Sequence, residues 1–545
     1  MGPPSKRNAG VTPWPAIVAA MVVATIAFLT FRHTLGHEFV NWDDDVYVYE
    51  NPALHLPWTQ TVGWAFSHFY YYAYIPITLL SHLLDARLWG MNPQGHHLTN
   101  VLLHAANSIW ILVLGAFLLR GESRAAPRDP RGALFGMTIA AILFAVHPLR
   151  AESVSWVSDR KDLLCAFFFI PGVVAYLHAT REGGRSRPLW LLASFLLFVL
   201  AVLSKAVAVA FPLVLLLLDW IRGRKSGMAL LEKVPFLLVS LVITSLSLTS
   251  TRGATKLAYI LSSLAGAKAF LFPFYVLVLS FPLLKSLAPV NLAPIYPRVG
   301  LEWTIAGFVI VTLITTICVV AARKGTKAPL AAWIAYIAIV VPNVMGLSSG
   351  MQPLADRYSY LSTIPLYLLL GAGLSSIWEK AGSRRRLALA VASGGVAAVL
   401  ISVTARQSST WRSSTSLWEP VVASHPVRRE YTDAYLNLGA AYVRAGRHDE
   451  AAEILGKAAA VAPENAEVHY NLGIVSYLRN DPASALACLR KATALDPRHA
   501  KGYFYRAIIA AEMGLDEESV AAMVQAARLG SKDAREALGS HGMSW

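Results

Sequence analysis

The sequence predicts an all-α protein in which a polytopic bundle of about eleven membrane-spanning helices precedes a solenoid of short helical repeats. Hydrophobic residues make up 55% of the 545 residues and the mean hydropathy is +0.48, which is too apolar for a soluble protein of this length. Long apolar runs alternate with short basic clusters in the first three quarters of the chain, and a short motif then recurs every 34 residues. The first pattern predicts membrane helices and the second predicts a repeat array.

The membrane helices are predicted from apolar runs of spanning length. The first run, 15–31, follows Lys6 and Arg7 and has no small-x-small cleavage site close behind it, so we interpret it as an uncleaved anchor. The other ten runs complete a predicted membrane domain over residues 1–410 and are 97–119, 133–147, 162–179, 189–203, 206–221, 234–250, 302–322, 329–347, 359–378 and 387–405.

The net charge of +15 is interpreted as a sign of the chain's orientation in the membrane and not of nucleic-acid binding. The basic residues fall in short clusters between apolar runs, as the positive-inside rule requires of cytoplasmic loops. The N-terminus is therefore expected in the cytoplasm and the repeats outside it. The chain has no Asn-x-Ser/Thr sequon and is rich in Ala, Leu and Arg, which favours a bacterial inner membrane and periplasmic repeats. The basic clusters are 120–131, 181–187, 222–225, 323–327 and 384–386.

One apolar segment, 268–286, does not fit this alternation. A full crossing would put the basic cluster 323–327 on the wrong side of the membrane, and Pro273 and Pro282 interrupt the segment. We interpret it as a re-entrant or surface-lying helix, although its apolar length would also allow it to span.

The C-terminal quarter carries a tetratricopeptide pattern. Asn437-Leu438-Gly439 recurs 34 residues later as Asn471-Leu472-Gly473, and Pro463 and Pro497 share that spacing. In such repeats, small residues let two helices approach closely and a proline ends the second helix. The sequence predicts three repeats over 431–532, preceded by a linker at 411–430 and followed by a tail at 533–545.

Polar residues that could perform chemistry collect in the loops predicted to lie on the outer face. Three consecutive carboxylates, Asp43, Asp44 and Asp45, follow the first span, and a charged residue near hydrocarbon costs roughly 2.5–3.5 kcal/mol. Acids and cations on one face suit transfer from a phosphorylated lipid, since a carboxylate can accept the proton of an attacking hydroxyl and cations can stabilise the departing phosphate. The other members of this set are His147, Glu152, Asp159, Arg160, Lys161, Asp162, Lys205, Arg252, Lys256, Asp356, Arg357 and Tyr358.

Structural alternatives exist for each of these residues. The aspartate triplet could be a solvated loop or a helix cap, and Lys205 could extend its ammonium group from between two apolar spans to the interface. Arg357 could pair only with its neighbour Asp356, and His147 before Pro148 is more often a helix-end residue than a ligand. The acids near the N-terminus of the span 162–179 could serve as caps.

Several ordered motifs resemble a known family. These motifs are Phe39 to Asp45, Asn92 to Val101, His147-Pro148 with Glu152 and Asp162, Leu203-Ser204-Lys205, Leu287 to Leu292 and Ala355 to Leu361. In this order, followed by the repeats, they resemble the tetratricopeptide-containing transmembrane O-mannosyltransferases and their bacterial relatives, which belong to the GT-C glycosyltransferase superfamily. Ile75 before Pro76, Ala206 after Ser204-Lys205 and Asp356 in place of glutamate depart from the family pattern.

The resemblance implies a GT-C-like membrane enzyme that takes one sugar, mannose by analogy, from a polyprenyl-phosphate carrier. The acceptor would be a hydroxyl outside the cytoplasm, on protein Ser or Thr, and the anomeric carbon would invert. Asp43 or Asp44 would be the base. Arg357, Lys205 and, after them, Arg160 would hold the donor phosphate. The supporting residues would be Asp45, His147, Glu152, Asp162, Asp356 and Tyr358.

The implied partners are the lipid-linked monosaccharide, membrane lipids and an acceptor protein recruited by the repeats. No cofactor or metal is implied, because the cations already neutralise the phosphate. Two other classes remain open: a non-catalytic membrane scaffold that displays the repeats, and a transporter or flippase. The sequence leaves open the sugar, the lipid carrier, the acceptor and the oligomeric state.

Overall fold

The computed structural model describes residues 14–70, 73–119, 129–182, 186–224, 227–249, 271–296, 301–344, 352, 354–424, 427–543 and 545. These residues are almost wholly helical; the one β-bridge among them joins Tyr70 and Ala73. They form two units, and the second contains residues 413–545 together with the short segment 40–42. The all-α prediction is confirmed.

The first unit contains seventeen α-helices within the described residues. They are α1 (Trp14–Phe31), α2 (Trp58–Ser67), α3 (Pro76–Trp89), α4 (Pro93–Leu119), α5 (Pro130–Ala145), α6 (Arg150–Ser155), α7 (Arg160–Glu182), α8 (Arg187–Ser204), α9 (Phe211–Ile221), α10 (Gly227–Leu231), α11 (Val234–Thr249), α12 (Leu271–Leu287), α13 (Leu301–Arg323), α14 (Ala328–Val344), α15 (Ser359–Ser362), α16 (Ile364–Lys380) and α17 (Ser383–Ser409).

Seven helical segments in the described residues are long and apolar enough to cross a membrane, and an eighth qualifies if the bent pair Asp356–Ser362 and Ile364–Lys380 is one span. The two parts of that pair meet at 57°. The protein is therefore a multi-pass membrane protein. The seven are Trp14–Gly36, Pro93–Leu119, Val157–Arg181, Arg187–Ser204, Gly227–Thr249, Leu301–Arg323 and Ser383–Ser409.

The predicted count of eleven spans is higher than the seven or eight that meet the length criterion. Within the residues that the structure describes, every predicted apolar run is helical, but three of these helices are short: Pro130–Ala145, Ala206–Ile221 and Ala328–Asn343. The 16 residues of Pro130–Ala145 rise about 24 Å, less than the roughly 30 Å of a hydrocarbon core. The segment predicted as re-entrant contains another short apolar helix, Val276–Leu287, and residues 250–270 lie outside the described chain.

Local sequence explains where these helices begin and how closely they pack. The side chain of Asp129 accepts a hydrogen bond from the Arg131 backbone at 2.9 Å, and Pro130 occupies the first turn of α5, where its missing N–H is tolerated. Glycines bring α5 against α16: a Cβ added at Gly136 would lie 2.3 Å from the Gly371 carbonyl oxygen. Small residues of this kind allow membrane helices to approach closely.

The second unit contains the three predicted helix pairs. They are α19 (Thr432–Arg444) with α20 (His448–Val461), α21 (Ala466–Leu478) with α22 (Pro482–Leu495), and α23 (Ala500–Glu512) with α24 (Asp516–Arg528). Helix α18 (Ser414–Ser424) lies inside the segment predicted as a linker, and α25 (Lys532–Ser540) lies inside the predicted tail. Both flanking helices are short and apolar on one side, with Leu417 and Leu538 buried.

Residues Val40–Trp42 of the first loop pack within this second unit. The Asn41 side chain donates to the Asn437 carbonyl oxygen at 2.7 Å and accepts from the Trp418 indole nitrogen at 3.0 Å. The Asn41 backbone N–H donates to the Ser414 hydroxyl at 2.9 Å. The residues immediately before the aspartate triplet are thus held by three long-range hydrogen bonds.

Candidate active site

The aspartate triplet occupies three different environments. Asp43 has a φ of 70°, a left-handed conformation uncommon for residues other than glycine. Asp44 is fully buried, and its Oδ1 accepts hydrogen bonds from the backbone and hydroxyl of Ser158 at 2.9 and 2.5 Å. Asp45 is half-buried and accepts from the backbone N–H of Val46 at 3.0 Å. The loop is therefore tied to the segment that precedes α7.

The first turn of α7 supplies the next charged groups. The Asp162 carboxylate binds the Lys205 ammonium, with Oδ1 and Nζ 2.6 Å apart and both side chains about 4% exposed. Lys161 lies beside Asp159 at 4.0 Å. Acids in a first helical turn are stabilised by the free N–H groups there, so the helix favours the negative charge that holds Lys205.

Arg357 is fixed by Glu152 on both its backbone and its side chain. Glu152 Oε2 accepts from the Arg357 N–H at 2.7 Å, and Oε1 accepts from the guanidinium. Both side chains are almost fully buried, 3% and 5% exposed. Such paired charges are held in one geometry because separating them would leave a charge without a partner in a low dielectric.

Trp156 connects these pairs into one cluster. The Lys161 ammonium lies 5.2 Å from the centre of its ring and the Arg357 guanidinium lies 5.5 Å from it. The centre of the Tyr358 ring lies 5.3 Å from the Arg357 guanidinium and 6.0 Å from the Lys205 ammonium. These are cation–π distances.

Lys161 also lies within electrostatic range of Asp43, Asp159, Lys205 and Arg357. The structure therefore brings together two aspartates of the first loop, three cations and the carboxylates that hold them. We define the cluster as Asp43, Asp44, Glu152, Trp156, Asp159, Lys161, Asp162, Lys205, Arg357 and Tyr358 and call it the charge cluster.

Arg160, predicted to hold the donor phosphate, binds protein atoms of two neighbouring helices. Its guanidinium pairs with Asp85 at 2.6 Å and donates to the Asn100 side chain at 2.8 Å and the His96 carbonyl oxygen at 2.9 Å. The remaining nitrogen donates to both oxygens of Ser81. All three nitrogens are used, so Arg160 holds α3 and α4 together beside the charge cluster.

His147 and Asp356, predicted as supporting residues, join neighbouring elements. His147 hydrogen-bonds the Ser286 carbonyl oxygen at 3.0 Å and accepts from the Leu149 N–H at 3.2 Å. The Asp356 carboxylate accepts from the Tyr296 hydroxyl at 2.7 Å. Both contacts fix the segments that carry Glu152 and Arg357. The predicted Arg252 and Lys256 lie outside the described residues.

Sequence reasoning gave no role to Lys161, Asp159 or Trp156. Lys161 and Asp159 stood among the polar residues of the outer loops, and Trp156 lies between Glu152 and Asp159. The sequence signal that could have identified Trp156 was therefore an aromatic residue within a charged loop. Among the described residues, no three His, Cys, Asp or Glu side chains are grouped as metal ligands.

Comparison with known proteins finds similarity to a repeat family and to several glycosyltransferases. Two models described as tetratricopeptide repeat match residues 430–498 and 470–534. Human Protein O-mannosyl-transferase TMTC4 is 32% identical over 212 residues, which cover 35% of this chain and 28% of the relative. That aligned stretch is longer than the segment matched by the repeat models, so the repeats alone do not account for it. Over this stretch, the chain is similar to a Protein O-mannosyl-transferase.

A second Protein O-mannosyl-transferase aligns over a similar share of the chain. Mouse Protein O-mannosyl-transferase TMTC2 is 29% identical over 182 residues, covering 32% of this chain and 20% of the relative. The chain thus spans less than a third of the length of the curated relatives it matches. Among solved structures, ArnT from Cupriavidus metallidurans bound to undecaprenyl phosphate aligns with a TM-score of 0.38 at 16% identity, covering 90% of this chain and 81% of that one.

Proposed function

We propose that the protein is a polyprenyl-phosphate-sugar-dependent glycosyltransferase of the GT-C type. It transfers one sugar, mannose by analogy with the relatives, to an acceptor hydroxyl on the extracytoplasmic face, with inversion. The observation that carries the proposal is the charge cluster, in which Asp43 shares a site with Lys161, Lys205 and Arg357. An enzyme that removes a proton at one point and stabilises a phosphate nearby needs this combination.

Asp43 is the candidate base. Asp44 already accepts two hydrogen bonds from Ser158 through one oxygen, which stabilises its anion and makes it a weaker base. Asp43 is held in an unfavourable backbone conformation, and such conformations concentrate at functional sites. Asp44 would then hold the loop while Asp43 accepts the proton from the attacking hydroxyl.

Lys161, Lys205 and Arg357 are the candidate phosphate ligands. Asp159, Asp162 and Glu152 position them before substrate arrives, so little reorganisation is needed when charge develops on the leaving phosphate. Transfer forms a bond between the acceptor oxygen and the anomeric carbon as the bond to the phosphate oxygen breaks, through an oxocarbenium-like state. The polyprenyl phosphate leaves with the bonding electron pair, and the proton remains on Asp43.

The repeats are proposed to recruit the acceptor. A tetratricopeptide array can bind an extended peptide, and its tether to the membrane unit raises the local concentration of acceptor. A protein acceptor with Ser or Thr hydroxyls fits this arrangement, and the extracytoplasmic location follows from the predicted orientation.

The test is mass spectrometry of exported proteins from cells that produce the wild-type chain, the Asp43→Asn variant or the Asp45→Asn variant. Replacing the base should lower transfer of a single hexose by about 10²–10⁴-fold, while Asp45→Asn, which alters a half-buried neighbour, should retain most activity. Unchanged glycosylation in Asp43→Asn, with the variant inserted in the membrane, would instead support a non-catalytic scaffold.

A further inference from the structure

The candidate base, Asp43, lies between two anchored residues. Before it, Asn41 takes part in hydrogen bonds of 2.9, 2.7 and 3.0 Å through its backbone and its side chain. After it, Asp44 accepts two hydrogen bonds from Ser158 at 2.9 and 2.5 Å. Three residues of extended chain reach at most about 11 Å, so fixing Asn41 and Asp44 leaves few conformations for the residues between them.

The two anchors belong to different units of the protein. Residues Val40–Trp42 pack within the unit that contains the repeats, and Asp43 is the residue at which the chain returns to the membrane unit. The partners of Asn41 lie on α18 and α19. The Trp42 ring also lies edge-on to the Trp418 ring, with 4.9 Å between the ring centres. The repeat unit therefore holds the residues before the base, and the membrane unit holds the residue after it.

The backbone of Asp43 is left-handed, with a φ of 70°. Contact between Cβ and the backbone disfavours this conformation by about tenfold for residues other than glycine, although aspartate tolerates it better than most. Such a conformation persists only where the surrounding structure imposes it. The anchors at Asn41 and Asp44 supply that constraint.

The backbone conformation of Asp43 also decides where its carboxylate lies. A change of φ from 70° to the usual negative range would rotate the side chain by more than about 100° relative to the preceding peptide. In the observed conformation, Asp43 lies within electrostatic range of Lys161 in the charge cluster. Relaxation of the backbone would therefore separate the base from the cations that are the candidate phosphate ligands.

The second connection to the repeat unit also begins beside the charge cluster. Just after α17, Trp411 stacks on Trp156 with 5.5 Å between the ring centres. The next carbonyl oxygen, of Arg412, accepts a hydrogen bond from the Glu38 N–H at 2.9 Å. The two segments that lead from the membrane unit into the repeat unit are thus joined to each other and to the cluster before they leave it.

We propose that Asn41 is a positioning residue through which the repeat unit holds Asp43 in its active conformation. This inference rests on the proposed function, in which Asp43 is the base. The repeat unit then has two roles, because it recruits the acceptor and its first helices, α18 and α19, fix the loop that carries the base. Transfer depends on Asn41 even when the acceptor is too short to need recruitment.

The test is a double-mutant cycle on the purified full-length protein in detergent. The donor probe is polyprenyl-phosphate mannose, and the acceptor probe is a short threonine peptide at saturating concentration, so that recruitment does not limit the rate. Asn41→Ala should lower kcat per folded protein about tenfold, since a relaxed backbone leaves about one molecule in ten in the active geometry. In the Asp43→Asn background, Asn41→Ala should lower kcat no further, because its effect passes through the base.

Asn471→Ala is the matched control, since it removes an exposed hydrogen bond of the second repeat, and it should keep the wild-type kcat. If Asn41→Ala does not fold, Ser414→Ala takes its place in the cycle with a smaller expected decrease, because it removes the hydroxyl that accepts from the Asn41 backbone. A wild-type kcat in the folded variant, or a decrease of the same size in the Asp43→Asn background, would overturn the positioning role. A wild-type kcat in Asp43→Asn alone would instead contradict the proposed function.

Discussion

Glu152 is the residue on which the position of Arg357 depends. It accepts hydrogen bonds from both the backbone and the guanidinium of Arg357, and both side chains are buried. Without this carboxylate, Arg357 would be a buried charge with no ionic partner, and the segment that carries it would lose its main anchor.

Glu152→Gln is therefore expected to destabilise the protein by about 3–5 kcal/mol, the usual cost of breaking a buried ion pair. Thermal unfolding of the detergent-solubilised protein measures the effect. Glu302→Gln, which alters an exposed carboxylate on α13, should change stability by less than about 1 kcal/mol. Equal effects of the two substitutions would show that the Glu152–Arg357 pair does not hold this region.

Asn41→Ala tests how the segment before the aspartate triplet is held. The substitution leaves the buried Trp418 indole N–H and the Asn437 carbonyl oxygen without their side-chain partner, at a cost of about 1–3 kcal/mol. Asn471→Ala removes an exposed hydrogen bond to the Glu467 carbonyl oxygen and is the matched control. Denaturant unfolding followed by Trp fluorescence should separate the two variants; identical midpoints would contradict the expectation.

At the scale of elements, the helix pairs of the repeats depend on close approach at glycine. A Cβ at Gly473 would lie 2.8 Å from Leu489 Cγ, so Gly473→Ala should destabilise the repeat by about 1–3 kcal/mol through overpacking. Gly456 is exposed inside α20 with open space around it, so Gly456→Ala should stabilise that helix by about 0.5–1 kcal/mol. Urea midpoints that move in the same direction would contradict this account.

The second and third repeats are joined by an ion pair that depends on pH. Glu518 accepts from Arg490 at 2.9 Å and from Arg506 at 2.7 Å, and these hydrogen bonds, with that to Arg490 the stronger influence, lower the pKa of Glu518 to about 2. A lowered pKa means that the stabilisation is complete above the ordinary value of 4.5 and is lost as the pH falls toward 2.

Cleavage by pepsin within 482–528 should therefore rise as the pH falls from 4.5 to about 2, and Glu518→Gln should remove part of that dependence. The effect is modest, because the Arg490 side chain is 50% exposed and solvent screens its attraction to Glu518. Glu536→Gln, at another exposed carboxylate of the repeat unit, should keep the wild-type pH profile. A Glu518→Gln profile identical to the wild type would rule out this ion pair as the cause.

At the scale of the whole molecule, orientation in the membrane stays a prediction of the basic clusters. The native cysteines can test it, because Cys165 and Cys318 are buried while Cys488, in the repeats, is partly exposed. A membrane-impermeant maleimide should label Cys488 in intact cells, and Cys488→Ser should abolish that labelling. Labelling only after the cells are permeabilised would place the repeats in the cytoplasm and overturn the predicted topology.

The helices and repeats were predictable because their signals are local. A long apolar run predicts a helix whatever surrounds it, and the 34-residue period fixes which glycine meets which leucine within one repeat. The number of spans was less predictable, since Pro130–Ala145 and Ala328–Asn343 are apolar but short. Helix α18 was not predicted, because a segment that follows directly after an apolar run resembles a linker. The residue that contacts this helix, Asn41, is distant in the sequence.

Hydropathy and periodicity are properties of neighbouring residues, so the fold class, the repeat register and the set of polar residues from which a site could form were all predictable from the chain. Which charges meet depends on how distant segments pack in the folded protein. Arg160 and Lys161 are adjacent in sequence, but successive helical residues point about 100° apart. Arg160 therefore binds Asp85, whereas Lys161 lies over Trp156 in the charge cluster. Direction and pairing of side chains arise from packing between distant segments, which no local pattern records.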